Sequence, residues 1–170
     1  MEKITDQQFI DFYDKNVEKI YRFVFFRVPG AQEAQDITSE TFTRVWQYLS
    51  EGHEIENLRA LLYQTARNLL NDYYRLASRR DVALEDGGNQ NNLVSESDIL
   101  EKKMDKDLNL RRIKKALGNI KEEYQEVIIL RYLNDFDLKE TAEIIKKSYG
   151  ATRVLLTRAL TSLKKELDKS

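Results

Sequence analysis

The stretch DLKETAEIIKKSYGATRVLLTRAL, Asp137 to Leu160, decides how this 170-residue chain is read. DLKETAEIIKKS supplies a short amphipathic helix and a connection of about three residues. From Ser148 onward a second helix begins. Leu155, Leu156, Ala159, Leu160 and Leu163 fall on one arc of it, and Arg153, Val154, Thr157, Arg158, Thr161, Lys164 and Lys165 on the other. Ser148 is suited to cap that helix, because its hydroxyl can accept from a first-turn N–H. No acidic residue occurs between Ile144 and Lys165, although the whole chain has a formal net charge of -1.

Two helices joined by a tight turn, the second basic on its exposed face, form the layout of a helix-turn-helix. In that motif the second helix enters the major groove and the first crosses the DNA backbone. Arg153 is placed to meet a guanine edge or a phosphate, Thr157 a base or a phosphate, and Val154 a thymine methyl. Lys146, Lys147, Arg158 and Lys164 suit phosphates, which position a protein without reading sequence. A solvated basic face on a C-terminal helix is the plainer alternative; the preceding short helix and turn weigh against it.

Charge divides the chain. Residues 1–80 carry 11 Lys and Arg against 12 Asp and Glu; residues 81–105 carry 2 against 7; residues 106–170 carry 15 against 10. The middle segment, with Gly87-Gly88 and an Asn/Gln run, reads as a flexible acidic linker. The expected fold is all-α: two small helical domains, 1–80 and 106–170, joined by the linker 81–105. Its charge suggests that it lies against the basic faces and holds the two domains closed.

In the first domain, Phe9, Tyr13, Val17, Ile20 and Val24 recur at helical spacing up to Pro29-Gly30. A second helix carries Ala34, Ile37, Thr41, Val45 and Leu49 on one face, widened by Phe42 and Trp46. Asp36, Glu40, Thr43 and Gln47 lie opposite. After SEGHEIEN (Ser50 to Asn57), a long helix from about Arg59 to Arg80 holds five arginines and one acid, Asp72. The second domain is expected as helices over Lys106 to Leu117, Glu122 to Leu130, Leu138 to Ile145 and Tyr149 to Leu167.

Two segments together resemble one family. DITSETFTRVWQYL (Asp36 to Leu49) with RALLYQTARNLLNDYYR (Arg59 to Arg75) is similar to region 2 of bacterial sigma-70 factors, and Ile120 to Leu167 is similar to region 4. That order, across a linker, resembles the two-domain extracytoplasmic-function (ECF) group. The resemblance implies a cytoplasmic initiation factor whose partners are core RNA polymerase, promoter DNA and, as is usual in the group, an anti-sigma factor. It implies polymerase docking by Asp36, Ser39, Glu40, Thr43 and Gln47. For the minus-ten element it implies the loop residues Ile55, Glu56 and Asn57, then Arg59, Leu61, Tyr63, Gln64, Arg67, Asn68 and Arg75. A base extruded from the stack would be held there. Core packing is the plainer role for at least one of Tyr63, Tyr73 and Tyr74. For the minus-thirty-five element it implies Arg131, Lys147, Tyr149, Arg153, Val154, Thr157 and Arg158. Leu61 stands where the family often has an aromatic residue, Gln64 where it has arginine, Ser39 where it has glutamine, and Lys146 where it has glycine.

Other classes fit less well. The chain has no cysteine and one histidine, His53, so Cys- or His-rich metal sites are excluded. No G-x-x-x-x-G-K-[ST] loop is present, and no cofactor, metal or catalytic residue is expected. YRFVFFRV (Tyr21 to Val28) falls short of the roughly 20 apolar residues of a membrane span, and no signal peptide is visible; no membrane insertion is expected. A sigma-like decoy that sequesters an anti-sigma factor would not need the basic last helix. A free-standing helix-turn-helix regulator would not need the Asp36 to Leu49 pattern.

Overall fold

The computed structural model describes residues 3–80 and 108–169. Capping chemistry sets where its helices start. Thr5 and Gln8 form a reciprocal capping box at the start of α1 (Asp6–Phe25). Pro29 follows the end of α1, and α2 (Ala31–Ser50) starts beyond it. Gly52, in the left-handed region at φ 85°, turns the chain after α2, its N–H bonded to Leu49 O at 3.1 Å. Asn57 then caps α3 (Leu58–Arg80), accepting from Ala60 N–H at 3.0 Å. Where α1 packs on α2 and α2 on α3, Ile20 and Val24 of the first stripe and Ala34, Ile37, Thr41, Phe42 and Val45 of the second are buried. Phe9, Val17, Trp46 and Leu49 are half-buried, and Tyr13, expected on the apolar stripe, is 40% exposed at its N-terminal end. Phe9 meets Trp46 and Tyr13 meets Phe42, each pair with ring centroids 4.7 Å apart.

The second module comprises α4 (Leu108–Gly118), α5 (Glu122–Ile128), a π-helical turn (Ile129–Leu133), α6 (Leu138–Ile145) and α7 (Tyr149–Asp168). Among the described residues every regular element is helical. The helix expected to end at Leu130 instead continues through the π turn, where Asn134 N–H reaches Ile129 O at 2.9 Å. Asp137 and Glu140 form the capping box of α6, and Ser148 caps α7 by accepting from Ala151 N–H at 3.1 Å. Helix α7 buries Thr152, Leu155, Leu156 and Ala159 against α4, α5 and α6. Leu160, expected on the apolar arc, is 37% exposed. The buried stripe follows the i, i+3, i+4, i+7 rows from Thr152, which leaves Leu160 at its edge.

Lys146 in the helix-turn-helix turn has φ 57° and ψ 44°, a conformation that costs a residue with a Cβ about 1–2 kcal/mol. Lys146→Gly is therefore expected to stabilise the chain by about 0.5–1 kcal/mol, net of glycine's greater entropy loss. That corresponds to a melting temperature about 1–4 °C higher. A thermal melt checks it; an unchanged or lower midpoint would count against strain at Lys146.

The linker expected at 81–105 lies outside the described residues, and so does any contact it makes. What is described is direct packing of the two modules: α3 against α6, and α1 against the π turn. One core runs through both, with the Tyr63 ring edge-on to Phe23 at 5.3 Å and to Phe136 at 5.0 Å.

Candidate polymerase and nucleic-acid surfaces

The sequence-predicted residues fall into three groups with different surroundings. Asp36, Ser39, Glu40, Thr43 and Gln47 form an exposed ridge on α2, opposite its buried stripe. Buried Thr38 and Thr41 donate their hydroxyls to the carbonyls of Ala34 and Ile37, so they sit in the core without an unpaired donor. On the ridge, Glu40 pairs with Arg44 at 2.8 Å and Asp36 accepts from Gln32 at 2.9 Å. Both partners are on the same helix, so the ridge remains open to another molecule.

The residues expected to contact the minus-thirty-five element gather at the N-terminal half of α7. Lys147, Tyr149, Arg153, Val154, Thr157 and Arg158 are all exposed. Tyr149 and Val154 are half-exposed or more although apolar. An exposed apolar patch rimmed by basic residues suits a surface that others cover. Thr157 and Arg158 line a shallow groove with Tyr124, Thr161, Ser162 and Lys165. Tyr124, on α5, joins this face through tertiary packing alone. Arg131 is half-buried: it donates to Phe136 O at 3.5 Å and lies 5.5 Å from the centre of the Tyr132 ring. Its contacts are with Tyr132 of the π turn and with the loop ahead of α6.

The minus-ten candidates are split. Glu56, Asn68 and Arg75 are exposed, Arg75 in an ion pair with Asp72. Ile55, Leu61 and Gln64 are half-buried, and Leu61 packs on the core. Asn57 is exposed but its side chain is engaged as the α3 cap. Tyr63, Arg59 and Arg67 meet the second module. Tyr63 is fully buried, so packing is its role in this structure, and its hydroxyl accepts from Asn134 Nδ2 at 2.8 Å. Burial pushes the Tyr63 phenol up to about 12, with the Asn134 hydrogen bond and the charges of Arg59 and Arg22 pulling part of the way back. Arg59 pairs with Glu140 at 2.8 Å, and Arg67 with Glu126.

Behind Arg67 lies Arg27. Its side chain is 2% exposed and its Nη1 is 3.9 Å from Glu126. Its guanidinium sits over the rings of Phe23 and Tyr74, 5.4 and 5.8 Å from their centroids. The Tyr74 hydroxyl donates to Arg27 O, and burial raises the Tyr74 phenol despite the nearby guanidinium. Arg22 donates to Leu133 O at 3.2 Å, and Asn134 to Lys19 O at 3.1 Å. Sequence reasoning did not find Arg22, Arg27, Glu126, Asn134, Phe136 or Glu140. Their pairing depends on two modules far apart in the chain, which no local pattern encodes.

No described helix is long and apolar enough to cross a membrane. Residues 12–80 match the family model "Sigma-70 region 2" and residues 110–163 match "Sigma-70, region 4". The ECF RNA polymerase sigma factor BldN of Streptomyces coelicolor is 30% identical over 156 residues, covering 89% of this chain and 57% of BldN. The chain thus spans little more than half the length of that relative. The RNA polymerase sigma factor YlaC of Bacillus subtilis is 26% identical, with 94% of this chain and 92% of YlaC covered. The solved structure of sigma factor RpoE in complex with the anti-sigma factor NepR, from Bartonella quintana, has a similar fold. It superposes with a TM-score of 0.68 at 21% identity, over 93% of this chain and 97% of that one. With both regions matched in order on an all-helical scaffold, the chain belongs to the sigma-70 family and is of the ECF type.

Proposed function

We propose that this chain binds core RNA polymerase and directs promoter-specific initiation as an alternative sigma factor. Residues 1–80 would act as region 2, 106–170 as region 4, and 81–105 as the tether. The observation that carries the proposal is one chain with two exposed surfaces of distinct chemistry. One is the mixed polar ridge Asp36, Ser39, Glu40, Thr43 and Gln47; the other is the acid-free face of α7. A free-standing DNA-binding protein needs only the second. The α2 ridge would dock on polymerase, α3 and the loop before it would take the minus-ten strand, and α7 would read the minus-thirty-five groove.

The protein would work in the cytoplasm, where polymerase is, and without chemistry of its own. RpoE is held by an anti-sigma factor, and we include a protein of that kind among the partners.

Run-off transcription with core bacterial polymerase on a random-promoter library tests this. Discrete starts sharing two upstream motifs are expected only when the protein is added. Polymerase binding without initiation would point to a decoy instead. In the same assay Arg153→Ala is expected to weaken minus-thirty-five recognition by about 1–3 kcal/mol and to relax preference at one base. An equal loss on all sequences would make Arg153 a phosphate contact.

A further inference from the structure

Between the end of α1, the C-terminal half of α3 and α4 lies a cavity of about 560 Å³. Its volume is that of a small-molecule site, and such sites join apolar walls to a few placed polar groups. The apolar wall here is Phe26, Val28 and Pro29 after α1, with Tyr73, Tyr74 and Ala77 on α3. The two tyrosine rings stand edge to face, centroids 5.8 Å apart, and both residues are half-buried. A flat ring entering beside them gains an aromatic contact as well as apolar burial.

The polar side of the cavity is basic. Arg111, Lys114 and Lys115 line it from α4 and Arg27 from the end of α1, and no described acidic side chain does. Lys114 Nζ lies over the Phe25 ring, 3.8 Å from its centre, which fixes that ammonium beside the cavity. Arg27 is the group that calls for a ligand. Its side chain is 2% exposed, and its Nε and Nη1 have no hydrogen-bond partner. Glu126, the carboxylate beside it, is 3.9 Å away and is already paired with Arg67. Two guanidinium charges therefore share one carboxylate. A buried charge without full compensation is costly, and at low dielectric its field acts more strongly than in water. An anion in the cavity supplies the missing charge.

We propose that this cavity binds a nucleoside phosphate, the base against Tyr73 and Tyr74 and the phosphate among Arg27, Arg111 and Lys115. Bases stack on aromatic side chains whatever their identity, and phosphate takes charge-assisted bonds from arginine and lysine. A purely apolar ligand, or a bare anion, would use half of the lining. None of the residues assigned above to polymerase or promoter lines the cavity, so the site stands or falls separately from the sigma-factor assignment.

Isothermal titration of the full-length chain with AMP, GMP, CMP and UMP tests this, beside adenosine and inorganic phosphate. One nucleotide per chain is expected to bind, and the thermal midpoint to rise with its concentration. Adenosine lacks the charge and phosphate lacks the ring; each is expected to bind at least about tenfold more weakly. Gly118 also lines the cavity, and a Cβ there would meet nothing within 4 Å. Gly118→Trp is expected to fill the space and abolish binding. Lys115→Glu, at an exposed position, is expected to weaken binding about tenfold or more and keeps the test valid if Gly118→Trp misfolds. Lys15→Glu makes the same charge change at an exposed position of α1, about three turns before Phe26, and should leave affinity unchanged.

The proposal is overturned if no nucleotide binds, if adenosine or phosphate binds as well as the nucleotide, or if Lys115→Glu binds no more weakly than Lys15→Glu. Binding that appears only after the acidic residues of 81–105 are changed to their amides would assign the cavity to the chain's own acidic segment, and would overturn it too.

Discussion

Phe23→Ala is expected to destabilise the chain by about 3–5 kcal/mol, the usual cost of truncating a fully buried phenylalanine. Phe23 has no exposed surface. Its ring meets Tyr63 edge-on at 5.3 Å and underlies the Arg27 guanidinium at 5.4 Å. Truncation would remove apolar burial, an aromatic pair and one of two rings that lie against a buried charge. The urea midpoint should fall with an unchanged slope if the loss is one of stability alone. A loss below about 1 kcal/mol would mean that neighbouring side chains refill the site.

The second large effect concerns function. Asp36→Arg combined with Glu40→Arg is expected to cost about 2–5 kcal/mol in binding to core polymerase, roughly 30-fold or more in affinity. Folding should be nearly untouched. Both positions are exposed on α2, and the Glu40–Arg44 pair is a half-exposed i,i+4 contact of the kind worth well under 1 kcal/mol. The check is a titration against labelled core polymerase beside a thermal melt. Unchanged affinity with an unchanged melt would remove the α2 ridge as the docking surface. A lowered melt would show instead that the two carboxylates matter to the helix.

These predictions draw on different levels of information. The α2 ridge was legible from periodicity, because a helix that buries Ala34, Ile37, Thr41 and Val45 must present Asp36, Glu40, Thr43 and Gln47 on its far side. The α7 face was legible for the same reason, together with its Ser148 cap and the missing acid. Leu160 was misplaced because the wheel could not say where the neighbouring helices would lie. Thr152 belongs to the buried stripe and Leu160 to its edge. The role of Phe23 needed the tertiary structure, since its ring is fixed by Tyr63, 40 positions along the chain, and by Arg27 beneath Tyr74.

The π turn at Ile129–Leu133 marks the limit most clearly. Nothing in ILRYL favours wider i→i+5 bonds, and such turns are rare as a local preference. Here the turn ends at buried Asn134, which reaches Lys19 O and the Tyr63 hydroxyl, with Phe136 packed on the Tyr63 ring. Contacts with the first module accompany the irregular backbone, and none of them is local in sequence.

By itself, the sequence determined the helices, the Ser148 cap, most of the apolar faces and the helix-turn-helix, because each depends on residues within a turn or two of one another. Only the tertiary structure decided that Arg59, Tyr63 and Arg67 meet Glu140, Asn134, Phe136 and Glu126. Those pairs lie about 60 to 80 positions apart. An arginine on a basic helix has the same local pattern whether it faces water, phosphate or a carboxylate, and long-range packing selects among the three.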